Sequence, residues 1–292
     1  MNIRQPARAG QFYEGSRASC QLHAAKLIEA AEPPADLPSP LYGGIVPHAG
    51  WAFSGSLAAL TLKALHKDAP LQRVVIFGAE HGPASLRHGE VFDAGVWRTP
   101  LGDVPIDEEL AAALLASSDV LRSSPQAHEL EHSIEVQVPL LQVLWPDVRI
   151  VPIAVPPTEA AIKVGMMVGA TLREGFSPGV RVIGSTDLTH HGGHFPAPGG
   201  RGEQGVEWTR RNDRRMIDLM EAMAAEAVVP EATRRANACG AGAIAATLAA
   251  CEALGAARGI CLGYTNSYEV IRRIYPSERD DTTVGYASVV FA

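Results

Sequence analysis

Short β-branched runs that stop abruptly at glycine, proline or a polar residue recur along this chain, with helical stretches between them. Residues 41–46 form one such run and lead into Pro47-His48-Ala49-Gly50, followed by a small-residue helix over about 54–65. Residues 73–77 lead into Gly78-Ala79-Glu80-His81-Gly82-Pro83. A third run, 147–155, is closed by Pro156-Pro157, and a helix is expected over 159–173. Residues 180–184 lead into Ser185-Thr186-Asp187-Leu188-Thr189-His190. A helix over 239–254 precedes a strand at 259–264, and 285–291 reads as a last strand near a sheet edge. Buried strands alternating with helices specify an α/β fold, with a central, mostly parallel or mixed sheet flanked by helices.

The run 131–144 reads as a further amphipathic helix, with Ile134, Val138, Leu141 and Leu144 as its apolar members and Pro146 ending it. Residues 31–40, rich in proline, and 191–205, rich in glycine and proline, read as long loops, the second a candidate lid. No clean linker and no internal repeat divides the chain, so one domain over residues 1–292 is expected.

Composition limits the function classes. Hydrophobic residues make up 47% and charged residues 20%, which supports a large packed core and argues against disorder. A net charge of -7 disfavours non-specific nucleic-acid binding. No stretch reaches the ~20 apolar residues needed to span a bilayer, and no secretory signal opens the chain. Four cysteines without disulfide-framework spacing suit a reducing compartment, so a cytoplasmic protein is expected.

Ligands of open α/β sheets collect beyond the carboxyl ends of the strands. Three predicted strands end there in a histidine-bearing loop, presenting His48, His81, and Asp187 with His190. Cys239, in Asn237-Ala238-Cys239-Gly240, lies where a helix begins, a position that favours a thiolate as ligand or nucleophile. Two imidazoles and a thiolate suit zinc, iron or copper with positions left open. No local metal motif is present, and each histidine taken alone reads more readily as a loop residue bonded to backbone or water than as a ligand. On the expected helix, Glu131 shares a face with Glu135, and His128 with His132; work beside a ligand would suit His132 and Glu135. Cys20, Cys251 and Cys261 read as buried apolar residues, and His23, His66 and His88 as surface ones. No dinucleotide-binding glycine pattern or phosphate loop is present.

These residues are also where the chain resembles a known family, the Memo-like proteins, whose bacterial and archaeal members are called AmmeMemoRadiSam system protein B. The resemblance runs from Pro6-Ala-Arg-Ala-Gly10-Gln-Phe-Tyr13 to Val284-Gly-Tyr-Ala-Ser288. Between them lie Pro47-His-Ala-Gly50, Gly78-Ala-Glu-His81, Glu131-His-Ser-Ile-Glu135, Ser185-Thr-Asp-Leu-Thr-His190 and Cys239-Gly240. The resemblance implies a fold like that of the class III extradiol ring-cleaving dioxygenases. It implies metal ligands at His48, His81 and Cys239, with Asp187, His190 and His132 lining the same pocket. It also implies association with a radical SAM protein and an AMMECR-type protein. Glu80, where many relatives carry serine or asparagine, and the glycine-rich loop after His190 depart from the pattern.

Two functions follow from such a site. In one, iron or copper supports redox or oxygenase chemistry, with His190, Asp187 and His132 as catalytic residues. In the other, the chain is a non-catalytic metal-binding partner of a radical SAM enzyme or a peptide ligand. Metal-free hydrolysis with Cys239 as nucleophile is a third, weaker reading.

Overall fold

Every β-branched run named above is a strand, and four of them lie side by side in parallel at the centre of the molecule. A computed structural model describes residues 2–68, 71–82, 87–117, 119–277 and 280–292; Pro83 of the second predicted loop lies outside them. In chain order the strands are β1 (Ile3–Arg4), β2 (Gly43–Val46), β3 (Arg73–Gly78), β4 (Gly89–Val91), β5 (Val96–Thr99) and β6 (Gly102–Pro105). They continue with β7 (Leu121–Ser123), β8 (Arg149–Ala154), β9 (Val180–Ser185), β10 (His190–His191), β11 (Gly259–Asn266) and β12 (Thr283–Phe291). The α-helices are α1 (Arg17–Ala30), α2 (Trp51–Asp68), α3 (Glu108–Ala116), α4 (Val138–Leu144) and α5 (Ala160–Gly175). They are followed by α6 (Glu203–Glu221), α7 (Ala225–Arg235), α8 (Ala241–Leu254) and α9 (Ser267–Ile274).

Among the described residues the main sheet runs β10-β12-β2-β9-β3-β8-β4-β7, with β11 also paired to β12. Its centre, β2-β9-β3-β8, is parallel, while β12 and β4 join it antiparallel, so the sheet is mixed. Val74, Val75, Ile76 and Phe77 of β3 are all fully buried, as expected of a strand covered on both faces. α2 packs on one face of the sheet and α8 on the other, and the buried apolar residues form one contiguous core. β12 lies one strand in from the edge, because β11 runs antiparallel along its outer side. A small sheet, β1-β5-β6, stands apart. No helix among the described residues is long and apolar enough to cross a membrane.

α8 is apolar all round, so it needs cover on every side. Its outer side meets α5, and the two backbones approach closely where glycines of one face alanines of the other. A Cβ on Gly165 would lie 2.2 Å from the Ala246 carbonyl oxygen, and one on Gly169 would lie 2.5 Å from that of Ala250. Backbone, unlike a flexible side-chain tip, cannot step aside. Gly165→Val is therefore expected to lower the unfolding free energy by about 3 kcal/mol, the upper end for overpacking. Urea unfolding checks this, and an unchanged midpoint would mean that the helices do not meet there.

One predicted element is not formed as expected. Instead of a helix over 131–144, residues 131–132 have no regular structure, 133–134 form a turn, Glu135–Gln137 is a 3-10 turn, and the α-helix begins only at Val138. The physical reason is Pro139, which has no N–H and whose ring excludes an α-helical carbonyl four residues earlier; it fits only a first turn. Glu131 then competes for the backbone, its carboxylate taking the N–H groups of His132 (2.7 Å) and Ser133 (2.8 Å). The shared helix faces expected for Glu131 with Glu135, and His128 with His132, therefore do not exist.

Candidate metal centre

β2, β9 and β3 end at one level, since Val46 pairs with Ser185 and Phe77 with Gly184. Chains leaving parallel strands at the same level enter the same patch of the sheet's carboxyl edge. β2 thereby delivers His48, β9 Asp187, and β3 His81. Cys239 arrives from a different direction, just ahead of α8. Its N–H donates to the Asp187 carbonyl (3.1 Å), and the Gly240 N–H donates to Thr186 Oγ1 (2.9 Å). Only glycine fits at 240, because a Cβ would lie 2.4 Å from the Ser185 carbonyl oxygen. This close approach puts Cys239 Sγ 3.2 Å from His48 Nε2. One donor atom from each of His48, His81 and Cys239 lies within 4.8 Å of the others.

Hydrogen bonds decide which ring nitrogens are free. Ser185 Oγ donates its single proton to the Ser133 carbonyl (2.7 Å), so at 2.9 Å it can only accept from His48 Nδ1. His48 is thus protonated on Nδ1, and the bare Nε2 lone pair faces the sulfur. His81 Nδ1 lies 3.1 Å from Glu131 Oε1, which leaves its Nε2 for the same space. A histidine oriented by a carboxylate or an oriented hydroxyl is the usual support for a metal ligand. Glu131 also accepts the His81 N–H (2.9 Å). His81, Glu131 and His132 form a second group of metal-competent atoms. Because Glu131 already receives three backbone N–H groups and an imidazole, it serves as an orienting hub.

Burial and neighbouring charge set the protonation states. Burial first, then the neighbouring imidazoles of His81 and His132, hold His48 well below the usual imidazole range. Burial also pulls on His81, but the Cys239 sulfur and the Glu131 carboxylate outweigh it and raise this side chain to about 10. His132 and His190 are each lowered to about 4, by burial and then by His81. Burial pushes Asp187 up to about 7, against two N–H bonds to its Oδ1 from His48 (2.7 Å) and Ala49 (3.3 Å). His81 is the most open of the three donors, its side chain 30% exposed.

The other residues named from sequence take distinct placements. His132 stacks on His81 (centroids 4.7 Å apart) and meets His48 edge-on at 5.4 Å. Asp187 braces the His48 loop through backbone N–H groups. His190 pairs with Val284 in the sheet, and its ring lies against Phe195. Glu135 is not beside the metal donors: it is buried and accepts from Arg4, Tyr13 and two backbone N–H groups of the N-terminal segment. In the loop after His190, Asp281 accepts from the Gly193 N–H (2.9 Å) and pairs with Arg201 (3.1 Å), and α6 starts at Glu203. Ser185 and Ser133 received no role from sequence. The usable signal was a serine at the carboxyl end of a buried strand, one residue after the last position that must be apolar.

The family profile of the Memo-like protein matches residues 4–290. This chain belongs to the Memo-like family. A MEMO1 family protein of Methanopyrus kandleri is 36% identical over 299 residues, spanning 99% of this Memo-like chain and 98% of that protein. One of Methanothermobacter thermautotrophicus is 35% identical over 279 residues, spanning 92% and 95%. The crystal structure of an uncharacterized Escherichia coli K12 protein shares the fold, with a TM-score of 0.50 at 12% identity over 87% of this chain and 100% of the other. The α/β arrangement expected for a Memo-like, extradiol dioxygenase-like chain is the one observed.

Proposed function

We propose that His48, His81 and Cys239 hold one iron or copper ion and that this centre carries out redox or oxygenase chemistry. The observation that carries the reading is the bare His48 Nε2, with its tautomer imposed by Ser185, facing Cys239 Sγ at 3.2 Å. Two imidazoles and a soft sulfur suit iron, copper or zinc, and three protein donors leave room for a further ligand. When bound, such an ion supplies Lewis acidity or one-electron chemistry. Sulfur in place of the carboxylate of a 2-His-1-carboxylate site alters charge and redox behaviour, so ring cleavage is not part of this proposal. His132 and His190, lowered to about 4, are neutral near pH 7 and able to accept a proton from a substrate. Asp187 holds the His48 loop.

A second reading is favoured by Leu130, which is 80% exposed at the rim of the cavity beside His81 and His132. An apolar side chain in that position suits a protein or peptide partner. In this reading the centre serves a radical SAM protein or an AMMECR-type protein in the cytoplasm without turnover of its own.

Elemental analysis after anaerobic purification tests the metal. The expected result is near-stoichiometric iron or copper in the wild type and loss of it in both His48→Ala and Cys239→Ala. Failure of the folded wild type to retain Fe(II), Cu(I) or Zn(II) would sink the reading and advance Cys239 as a nucleophile. Metal-dependent oxygen consumption that vanishes in Cys239→Ala separates the catalytic reading from the partner reading.

A further inference from the structure

We propose that Arg8 makes the cavity beside the metal donors a binding site for a small monocarboxylate with an apolar body. The cavity has a volume of about 440 Å³, within the size range of small-ligand pockets. His81 and His132 form part of its wall, so the proposal takes it as the ligand side of the centre described above and to that extent rests on that reading.

Arg8 is positioned from two directions. Its backbone N–H is fixed by Glu135 Oε1 at 2.8 Å, and its guanidinium carbon lies 5.6 Å from the centre of the Phe12 ring. Phe12 in turn meets His132 edge-on at 5.0 Å. The cation is thus fixed against the same side chains that line the metal donors. Among the described residues no carboxylate pairs with the Arg8 guanidinium, and its Nε is buried without an acceptor. A buried donor of a charged group without a partner is costly, and a planar fork of N–H groups is matched best by a carboxylate. The remaining wall is largely apolar, including Ala79, Ala127, Ala154 and Leu130. Glu80, Glu129 and Glu131 also line the cavity; Glu131 is engaged by His81 and backbone N–H groups, and the Glu129 charge opposes a dianion. One carboxylate near Arg8 with an apolar body against the alanines satisfies all of these.

Calorimetric titration tests this with benzoate, phenylacetate and 3-phenylpropionate, each against its neutral amide, on protein of measured metal content. At least one acid is expected to bind tenfold or more tightly than its amide. Arg8→Gln should abolish that preference with metal content unchanged, and Arg8→Lys should keep only part of it, having the charge without the fork. Both variants retain the backbone N–H that Glu135 holds. Equal affinity for acid and amide, no saturable binding of any acid, or a preference that survives Arg8→Gln would overturn the proposal. An Arg8-dependent preference in protein that takes up no metal would leave it standing while the metal reading fails. Loss of the preference alone, in metal-bearing protein, would do the reverse.

Discussion

Glu135→Ala is expected to lower the unfolding free energy by about 3–5 kcal/mol, the cost of leaving one partner of a buried ion pair behind. Arg4 and Glu135 are paired with side chains only 1% exposed each. The same carboxylate accepts the Tyr13 hydroxyl (2.7 Å) and the N–H groups of Ala7 and Arg8 (both 2.8 Å). Removing it strands a guanidinium whose remaining bonds are to the carbonyls of His128 (3.0 Å) and Glu131 (2.5 Å). Urea unfolding measures the loss, and a change below about 1 kcal/mol would show that Arg4 reaches water. Replacing both partners, as Arg4→Met with Glu135→Leu, should recover most of it, because the cost lies in the unpaired charge. The N-terminal segment also carries Arg8 and Phe12, so the single variant should blunt discrimination between acids and amides at the cavity.

The second large effect is expected at Glu131. Glu131→Gln should weaken metal binding by about 10- to 100-fold, the usual consequence of removing an orienting partner of a ligand histidine. The carboxylate holds His81 through both Nδ1 (3.1 Å) and the backbone N–H (2.9 Å), and among the described residues no other carboxylate pairs with this imidazole. A purely structural role would not touch the titration of His81. With the carboxylate gone, the imidazolium loses one of the two partners that raise it, so in metal-free protein its pKa should fall from about 10. Competition with a chelator gives the affinity, and the imidazole NMR signal followed against pH gives the titration. Unchanged values for both would remove Glu131 from the support of the centre. Glu131→Ala should cost more, since the N–H groups of His132 and Ser133 would also lose their acceptor.

Much of this architecture was legible because burial on both faces of a parallel strand demands a continuous apolar run. β3, β8 and β9 are such runs, and the loop histidines stand immediately beyond β2 and β3. α6, with Asn212 and Asp213 buried on it, was missed. Its arginine- and glutamate-rich exposed face conceals a narrow apolar stripe, and the glycine-rich segment before it drew attention instead. The helix expected from Glu131 failed for the opposite reason: apolar spacing was read without weighing Pro139, which prevents the helix from extending back.

His48, His81 and Cys239 mark how far sequence alone reaches. Local pattern determined the α/β class, the strands that carry the two histidines and the helix that begins after Cys239, because burial and hydrogen-bond periodicity act over neighbouring residues. Tertiary structure decided the rest. Register between β2, β9 and β3 brings together loops that are remote in the chain. The missing side chain at Gly240 lets α8 approach closely enough for sulfur to face His48 Nε2. Whether that nitrogen is free depends on the Ser185 proton, whose direction is imposed by the Ser133 carbonyl, 52 residues away along the chain. Such a constraint is a matter of distance in space, and no periodicity along the sequence records it.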